Sequence, residues 1–261
     1  LTEVEIADVV RRFADAARIF DAAGLAGVQV HGAHGYLVSQ FLSPRTNLRD
    51  DAWGGDPVRR RRFLLAIVEA IRAAVGPAFP IGVKLNSADF QRGGFTIEES
   101  MEVARALEAA GVDLLEISGG NYERPAMAGS GELPRIERAT SREREAYFLD
   151  YARQIRAVTT LPLMLTGGMR TRATMQAVIG AGDVDVVGLA RPLTVAPSLP
   201  ADLLAGRVDG APVVTIRSRL RRLDDALHDA ALERFLRGWQ ARALGVVDEV
   251  QHQAAGRKHP E

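Results

Sequence analysis

Gly27 to Gln40 reads GVQVHGAHGYLVSQ. Its first part is a short apolar strand, Val28 to Val30. Two histidines three apart, His31 and His34, follow at once, and then a tyrosine, Tyr36. Gly32 and Gly35 break the strand and let the chain turn tightly. Where strands run parallel, ligands bind at their carboxyl ends. Two imidazoles and a phenol just past a strand end are therefore a candidate site, provided that the rest of the chain builds a parallel sheet.

Outward from this stretch the same grammar recurs. Upstream, Thr2 and Glu5 make the capping-box pattern Thr-x-x-Glu, and Ile6, Val9, Val10, Phe13, Ala17 and Phe20 recur at helical spacing up to a stop at Gly24. Downstream, residues 42–57 form a long loop punctuated by Pro44, Gly54, Gly55 and Pro57, with Trp53 arguing for a packed loop. A helix is expected from about Val58 to Ala74 and a strand over Pro80–Leu85. Thr96 and Glu99 form a second capping box and open a helix through Ala110, followed by a strand over Asp113–Ser118. A loop of about 20 residues leads to a helix at about 142–158. The strand Leu161–Thr166 ends at Gly167-Gly168. A helix at about 171–180 follows, then a strand over Val184–Leu189 that ends at Ala190-Arg191-Pro192.

These are five β-loop-α units, apolar almost throughout their strands, as in a parallel sheet covered by helices. The length suits a whole (β/α)8 barrel of ~250 residues. The strand count does not: either three strands hide in segments that read as loop, or residues 1–205 are a partial barrel. After Pro200 the alternation stops. Residues 206–261 read as a C-terminal helical extension, with Leu220, Leu223, Leu227, Ala231, Phe235 and Trp239 at helical spacing, and a polar tail.

Lys plus Arg equals Asp plus Glu at 33 each, for a formal net charge of zero. Neither nucleic acid nor an acidic membrane surface is expected as a partner. Without cysteine, this chain can hold no disulfide, thiolate metal site, iron–sulfur cluster or cysteine nucleophile. A reducing cytoplasm fits. No apolar run approaches the ~18 residues of a membrane span, and the start lacks a signal-peptide pattern.

Several residues invite chemistry, each beside a plainer reading. His31 and His34 have metal-like spacing but no carboxylate at a natural third position, so no metal site is expected. They serve either strand-end packing or hydrogen-bond donation to a carbonyl or anionic oxygen. Tyr36 can deliver a proton, since a phenol titrates near ~10. Lys84, inside the apolar strand IGVKL, either snorkels out at a strand edge or holds a negative group at the barrel mouth, or forms a Schiff base as in barrel aldolases. Gly167-Gly168 and Ala190-Arg191 follow the last two strands, where (β/α)8 barrels often hold a phosphate; glycine N–H groups and an arginine suit it. Arg59 to Arg62 opens a helix against its dipole, with Asp50, Asp51 and Asp56 near enough in sequence to offset part of the cost. Glu116, in LLEIS, is inward or at an edge.

The string HGAHGYLVSQFLSP-x-TN-x-R, then WGG and RRRRF, then GVKLNSADF, GGFT, LLEISGG, LTGGMRT and VVGLARPL, resembles the Old Yellow Enzyme group of FMN-dependent ene-reductases and NADH:flavin oxidoreductases. The similarity covers roughly Leu1 to Leu204. It implies an α/β fold of the TIM (β/α)8-barrel type with FMN at the carboxyl end. NADH or NADPH would deliver hydride to the flavin, which passes it to an activated, enone-like alkene. By resemblance, His31 and His34 hold the substrate oxygen, Tyr36 is the proton donor and Lys84 stands near flavin N1 and O2. Gly167, Gly168, Ala190 and Arg191 match the phosphate-binding positions. Ala190 stands where the group usually has glycine, Arg59 where many members have asparagine, and Trp53 for a common tyrosine.

Members of the group begin with three further βα units, and Leu1 falls where the third helix would begin. The expectation is therefore the last five βα units plus the C-terminal extension, with an N-terminal segment missing and two open strand edges. Either another polypeptide supplies the missing units or the chain is incomplete; a homo-oligomer stays open. Two other readings also remain: a Schiff-base barrel lyase using Lys84, and a non-catalytic partial barrel that needs a partner.

Overall fold

The structure, a computed structural model, describes residues 1–119 and 148–212. Two compact units divide the chain, Leu1–Leu189 and Ala190–Glu261. The expected helix over 217–244 and the polar tail lie outside the described residues.

In the first unit the elements are α1 (Glu3–Ala22), β1 (Val28–Gly32), α2 (Leu37–Leu42), α3 (Pro57–Val75), β2 (Ile81–Asn86), α4 (Ile97–Ala109) and β3 (Leu114–Ser118), then α5 (Leu149–Arg156), β4 (Leu163–Thr166), α6 (Arg172–Gly180) and β5 (Val186–Gly188). Both capping boxes form. Thr2 Oγ1 accepts the Glu5 N–H at 3.3 Å while the Glu5 carboxylate accepts the Thr2 N–H at 2.7 Å, and Thr96 and Glu99 repeat the exchange.

The strands form one parallel sheet in the order β1-β2-β3-β4-β5. Alternate side chains take opposite faces. Ile81, Val83, Leu85, Leu115, Ile117, Leu163 and Leu165 are fully buried on the helix-covered face. Phe63, Leu64, Ile67, Val68 and Ile71 of α3 and Val103, Ala104 and Leu107 of α4 are buried with them. On the other face, His31, Lys84, Glu116, Met164 and Val186 lie side by side in register across all five strands. The polar half of this row, His31, Lys84 and Glu116 on β1, β2 and β3, is what positions the site.

The arginine run on α3 is absorbed locally. Asp56 caps the helix, accepting the Val58 and Arg59 N–H groups at 2.9 and 3.0 Å and pairing with Arg59 Nε at 2.8 Å. Arg60, 5% exposed, donates to the carbonyls of Leu42 (2.9 Å) and Gly55 (2.6 Å) and pairs with Glu99. Arg62 stacks over Trp53, 4.6 Å from the ring centre. The loop before α3 is therefore pinned to the helix.

Periodicity did not anticipate α2. At six residues it is too short to hold by propensity. Burial holds it, with Val38, Phe41 and Leu42 in the core and Phe41 stacked on Phe63 at 4.2 Å. The last two strands are also shorter than expected. β4 starts at Leu163 because Pro162 has no N–H. Asp185, just before β5, is spent on capping that start: its carboxylate accepts the Leu163 N–H at 2.8 Å and pairs with Arg156. The beginning of the helix expected at about 142 lies outside the described residues.

The second unit contributes α7 (Arg191–Val195) and α8 (Leu199–Leu204) among the described residues, neither foreseen from sequence spacing. Both carry proline in the first turn, where a missing N–H costs nothing. Asp202 accepts from Ser198 Oγ at 2.8 Å and pairs with Arg207 at 2.7 Å. Among the described residues, no helix is long and apolar enough to cross a membrane.

Candidate active site

The carboxyl end of β1 gathers the three residues singled out first. His31 is still in the strand. The chain then turns through His34, whose φ of 62° lies in the left-handed region that non-glycine residues seldom occupy. Two bonds hold it there: its N–H donates to Asn86 Oδ1 at 3.1 Å, and its Nε2 lies 2.7 Å from Ser118 Oγ. Tyr36 then caps α2. Its ring centre is 4.8 Å from that of His31, and His31 meets His34 edge-on at 5.2 Å. Tyr36 keeps 45% of its surface exposed, so its hydroxyl end can reach a ligand from solvent.

The histidine chemistry follows from these contacts. His31 Nδ1 accepts the Ala33 N–H at 3.3 Å, which leaves Nε2 as the protonated nitrogen of the neutral ring and a donor. Desolvation first, and the Lys84 charge second, hold His31 below the usual histidine range. The same two causes, in the same order, push His34 down to about 4. Both rings are thus neutral near neutral pH. One consequence is measurable. An unfolded histidine binds its proton from about pH 6.5 downward, whereas folded His34 resists until about 4. Between these values the unfolded chain holds more protons, so stability is full above about pH 6.5 and falls as the pH drops through this window. The urea midpoint measured against pH should fall over that range, and a His34→Asn variant should show a shallower fall there.

Lys84 does not snorkel out at a strand edge. It sits on β2 with β1 and β3 on either side, and its Nζ lies 2.8 Å from Glu116 Oε1 on β3. Burial would raise the Glu116 carboxyl, but the Lys84 hydrogen bond, the Thr166 hydroxyl, the Lys84 charge and the Gln29 side chain together outweigh it and hold the group below its ordinary value. The direction of Glu116, open on sequence grounds, is inward.

Gly167 and Gly168 end β4, both at positive φ, 137° and 74°. Gly167 also has a packing reason to be glycine, since an added Cβ would lie 2.8 Å from the Phe148 ring. Gly119 at the end of β3 is in the same position: a Cβ there would meet Phe90 at 2.6 Å and Phe148 at 2.8 Å. Phe90, at a φ of 56°, stacks on Phe148 at 5.8 Å and meets Tyr151 edge-on at 5.4 Å. These rings pack over the glycine ends of β3 and β4. A Gly119→Ala substitution should therefore overpack them and cost about 1–3 kcal/mol, read as a lower denaturant midpoint with unchanged slope. Ala190 and Arg191 belong to the second unit, where Ala190 precedes α7 and Arg191 opens it.

Sequence reasoning passed over Asn86 and Ser118, which hold His34 in its turn. A signal was there: each lies two residues beyond Lys84 or Glu116, so strand alternation puts all four on one face. The aromatic cover built by Phe90, Phe148 and Tyr151 left no such signal, because its members are far apart in the chain.

Imidazoles, a phenol and an ammonium lie together on one side of a five-stranded parallel sheet, toward the carboxyl ends of β1 and β2. The sequence model of the NADH:flavin oxidoreductase / NADH oxidase family matches residues 1–209, and the chain belongs to that family. It is 43% identical over 201 residues to the NADH-dependent flavin oxidoreductase iccE of Talaromyces variabilis, covering 77% of this chain and 48% of the relative. Over 211 residues it is 42% identical to nadA of Aspergillus parasiticus, also named an NADH-dependent flavin oxidoreductase, covering 80% and 46%. Among solved structures, 2-naphthoyl-CoA reductase in complex with 2-naphthoyl-CoA superposes with a TM-score of 0.71 at 33% identity, over 79% of this chain and 30% of that one. An old yellow enzyme homologue from Zymomonas mobilis gives 0.64 at 25% identity, over 84% and 58%. These likenesses agree with five βα units of the (β/α)8-barrel type. The chain spans about half the length, or less, of the curated relatives it matches. The cofactor set of the family is FMN with NADH or NADPH.

Proposed function

We propose that this chain carries the substrate side and part of the flavin side of an FMN-dependent oxidoreductase that reduces an activated, enone-like C=C bond. The observation that carries the reading is the convergence of His31, His34, Tyr36 and Lys84 at the carboxyl end of two neighbouring strands. The donor chemistry fits the cofactor: an ammonium and neutral imidazoles near the strand ends can serve an acceptor-rich ring. FMN, when bound, supplies the hydride, received from NADH or NADPH and passed to the β-carbon of the alkene.

The remaining work falls to the side chains. His31, through its Nε2–H, and His34, through the ring nitrogen that Ser118 does not engage, hold the carbonyl oxygen of the substrate. Neutral donors suit this task, because their bonds strengthen as charge develops on that oxygen. Tyr36, beside His31, places a proton on the α-carbon. Lys84 would hold the N1/O2 edge of the flavin ring and offset negative charge there. For the phosphate the proposed residues are Gly167 and Gly168, which end β4. The division into a barrel portion over 1–205 and a helical extension over 206–261 is part of the same proposal.

Between this reading and a Schiff-base lyase, the Lys84–Glu116 ion pair favours the first, since a paired ammonium has no lone pair to attack a carbonyl. Turnover decides. Incubation of the FMN-loaded protein with NADH or NADPH and 2-cyclohexenone under anaerobic conditions should yield cyclohexanone. Flavin that is bound and reduced but never reoxidised by any enone would contradict the alkene-reductase reading.

A further inference from the structure

Glu116 takes no part in the hydride or proton transfer proposed above, yet it is a carboxylate only 4% exposed in the central strand of the sheet. Burying such a group is costly unless it is paired. Packing does not require it, since Met164 fills the equivalent place on the next strand. We propose that Glu116 is a positioning residue for Lys84, in register with it and 2.8 Å from its ammonium, which anchors that cation on the interior face and offsets its field toward any anionic ring bound there. The inference rests on the flavin reading of the site.

The charged and titratable neighbours in this layer are Lys84 on the adjoining strand β2, His31 one strand further on β1, and His34 beyond the end of β1. Both histidines feel the Glu116 carboxylate as an attraction for their protons, opposed by Lys84. The carboxylate thus balances a cation that two neutral donors and, in the proposal, a flavin must share. A bare Lys84 would bind the reduced, anionic form of FMN more strongly relative to the oxidised form.

Redox titration of protein-bound FMN tests this, because its midpoint relative to free FMN gives the ratio of affinities for the two oxidation states. Glu116→Gln removes the charge and keeps the shape. It should raise the preference for reduced FMN about tenfold, equivalent to ~30 mV for a two-electron couple. Glu116→Asp, which keeps the charge at a shorter reach, should give a smaller rise in the same direction, and it stands as the test on its own if the Gln variant fails to fold. In the absence of FMN, the NMR titration midpoints of His31 and His34 should also move down in the Gln variant, a change that loss of packing alone does not produce. FMN binding with an unmoved midpoint would overturn the inference and leave the flavin reading intact. Failure of the wild-type chain to bind FMN would overturn the flavin reading, and this inference with it.

Discussion

Lys84→Met is expected to lower the stability of the protein by about 3 kcal/mol, seen as an earlier urea transition at pH 7. The cause is the partner left behind. The Glu116 side chain is 6% exposed, and its ion pair to Lys84 is what offsets its burial. Removing one member of such a pair strands the other. The loss is set at the low end of the range for buried pairs because Lys84 itself keeps 18% of its side-chain surface exposed, so some of its attraction is screened. A second substitution separates this cause from lost packing. Lys84→Met combined with Glu116→Leu replaces the pair by apolar groups of similar volume and should recover most of the loss. If the double variant is as unstable as the single one, the ion pair is not what holds this layer together.

Tyr36→Phe should slow alkene reduction by ~100-fold or more, the usual contribution of a positioned proton donor. Reduction of bound FMN by NADH or NADPH should be nearly unchanged. The asymmetry comes from the geometry: Tyr36 stands against His31, at the end proposed for the substrate oxygen, while the cation proposed for the flavin is on the next strand. The phenyl ring preserves the contact with His31 at 4.8 Å, so the substitution removes the hydroxyl and keeps the ring. Stopped-flow measurement of the two half-reactions distinguishes the outcomes. Equal slowing of both would remove Tyr36 from the role of proton donor.

Much of this arrangement was legible in the residues. The two capping boxes, the apolar strands and the glycine strand ends each have a local physical cause, so Thr2, Thr96 and the five strands stand close to where the pattern put them. The proximity of His31, His34 and Tyr36 was legible because they are near neighbours in the chain. What was not legible depends on contacts between distant segments. Lys84 could have pointed outward, and only the register of β2 against β3 sets it opposite Glu116. The left-handed turn at His34 needs Asn86 and Ser118, 52 and 84 residues away. α2 owes its existence to burial against α3 and not to its own propensity. Gly167 looked like a phosphate turn, and the structure adds that Phe148 packs where its side chain would be.

The central claim is that the row through Lys84 and the end of β1 faces a flavin. A fluorescence titration of FMN with the wild-type chain and with Glu116→Gln and Lys84→Met measures it most directly, each variant being first checked for a folded state. Saturable quenching by the wild type, retained in the Glu116→Gln variant and weakened at least tenfold in the Lys84→Met variant, is the predicted result. FMN binding of equal strength in folded wild type and folded Lys84→Met would contradict it.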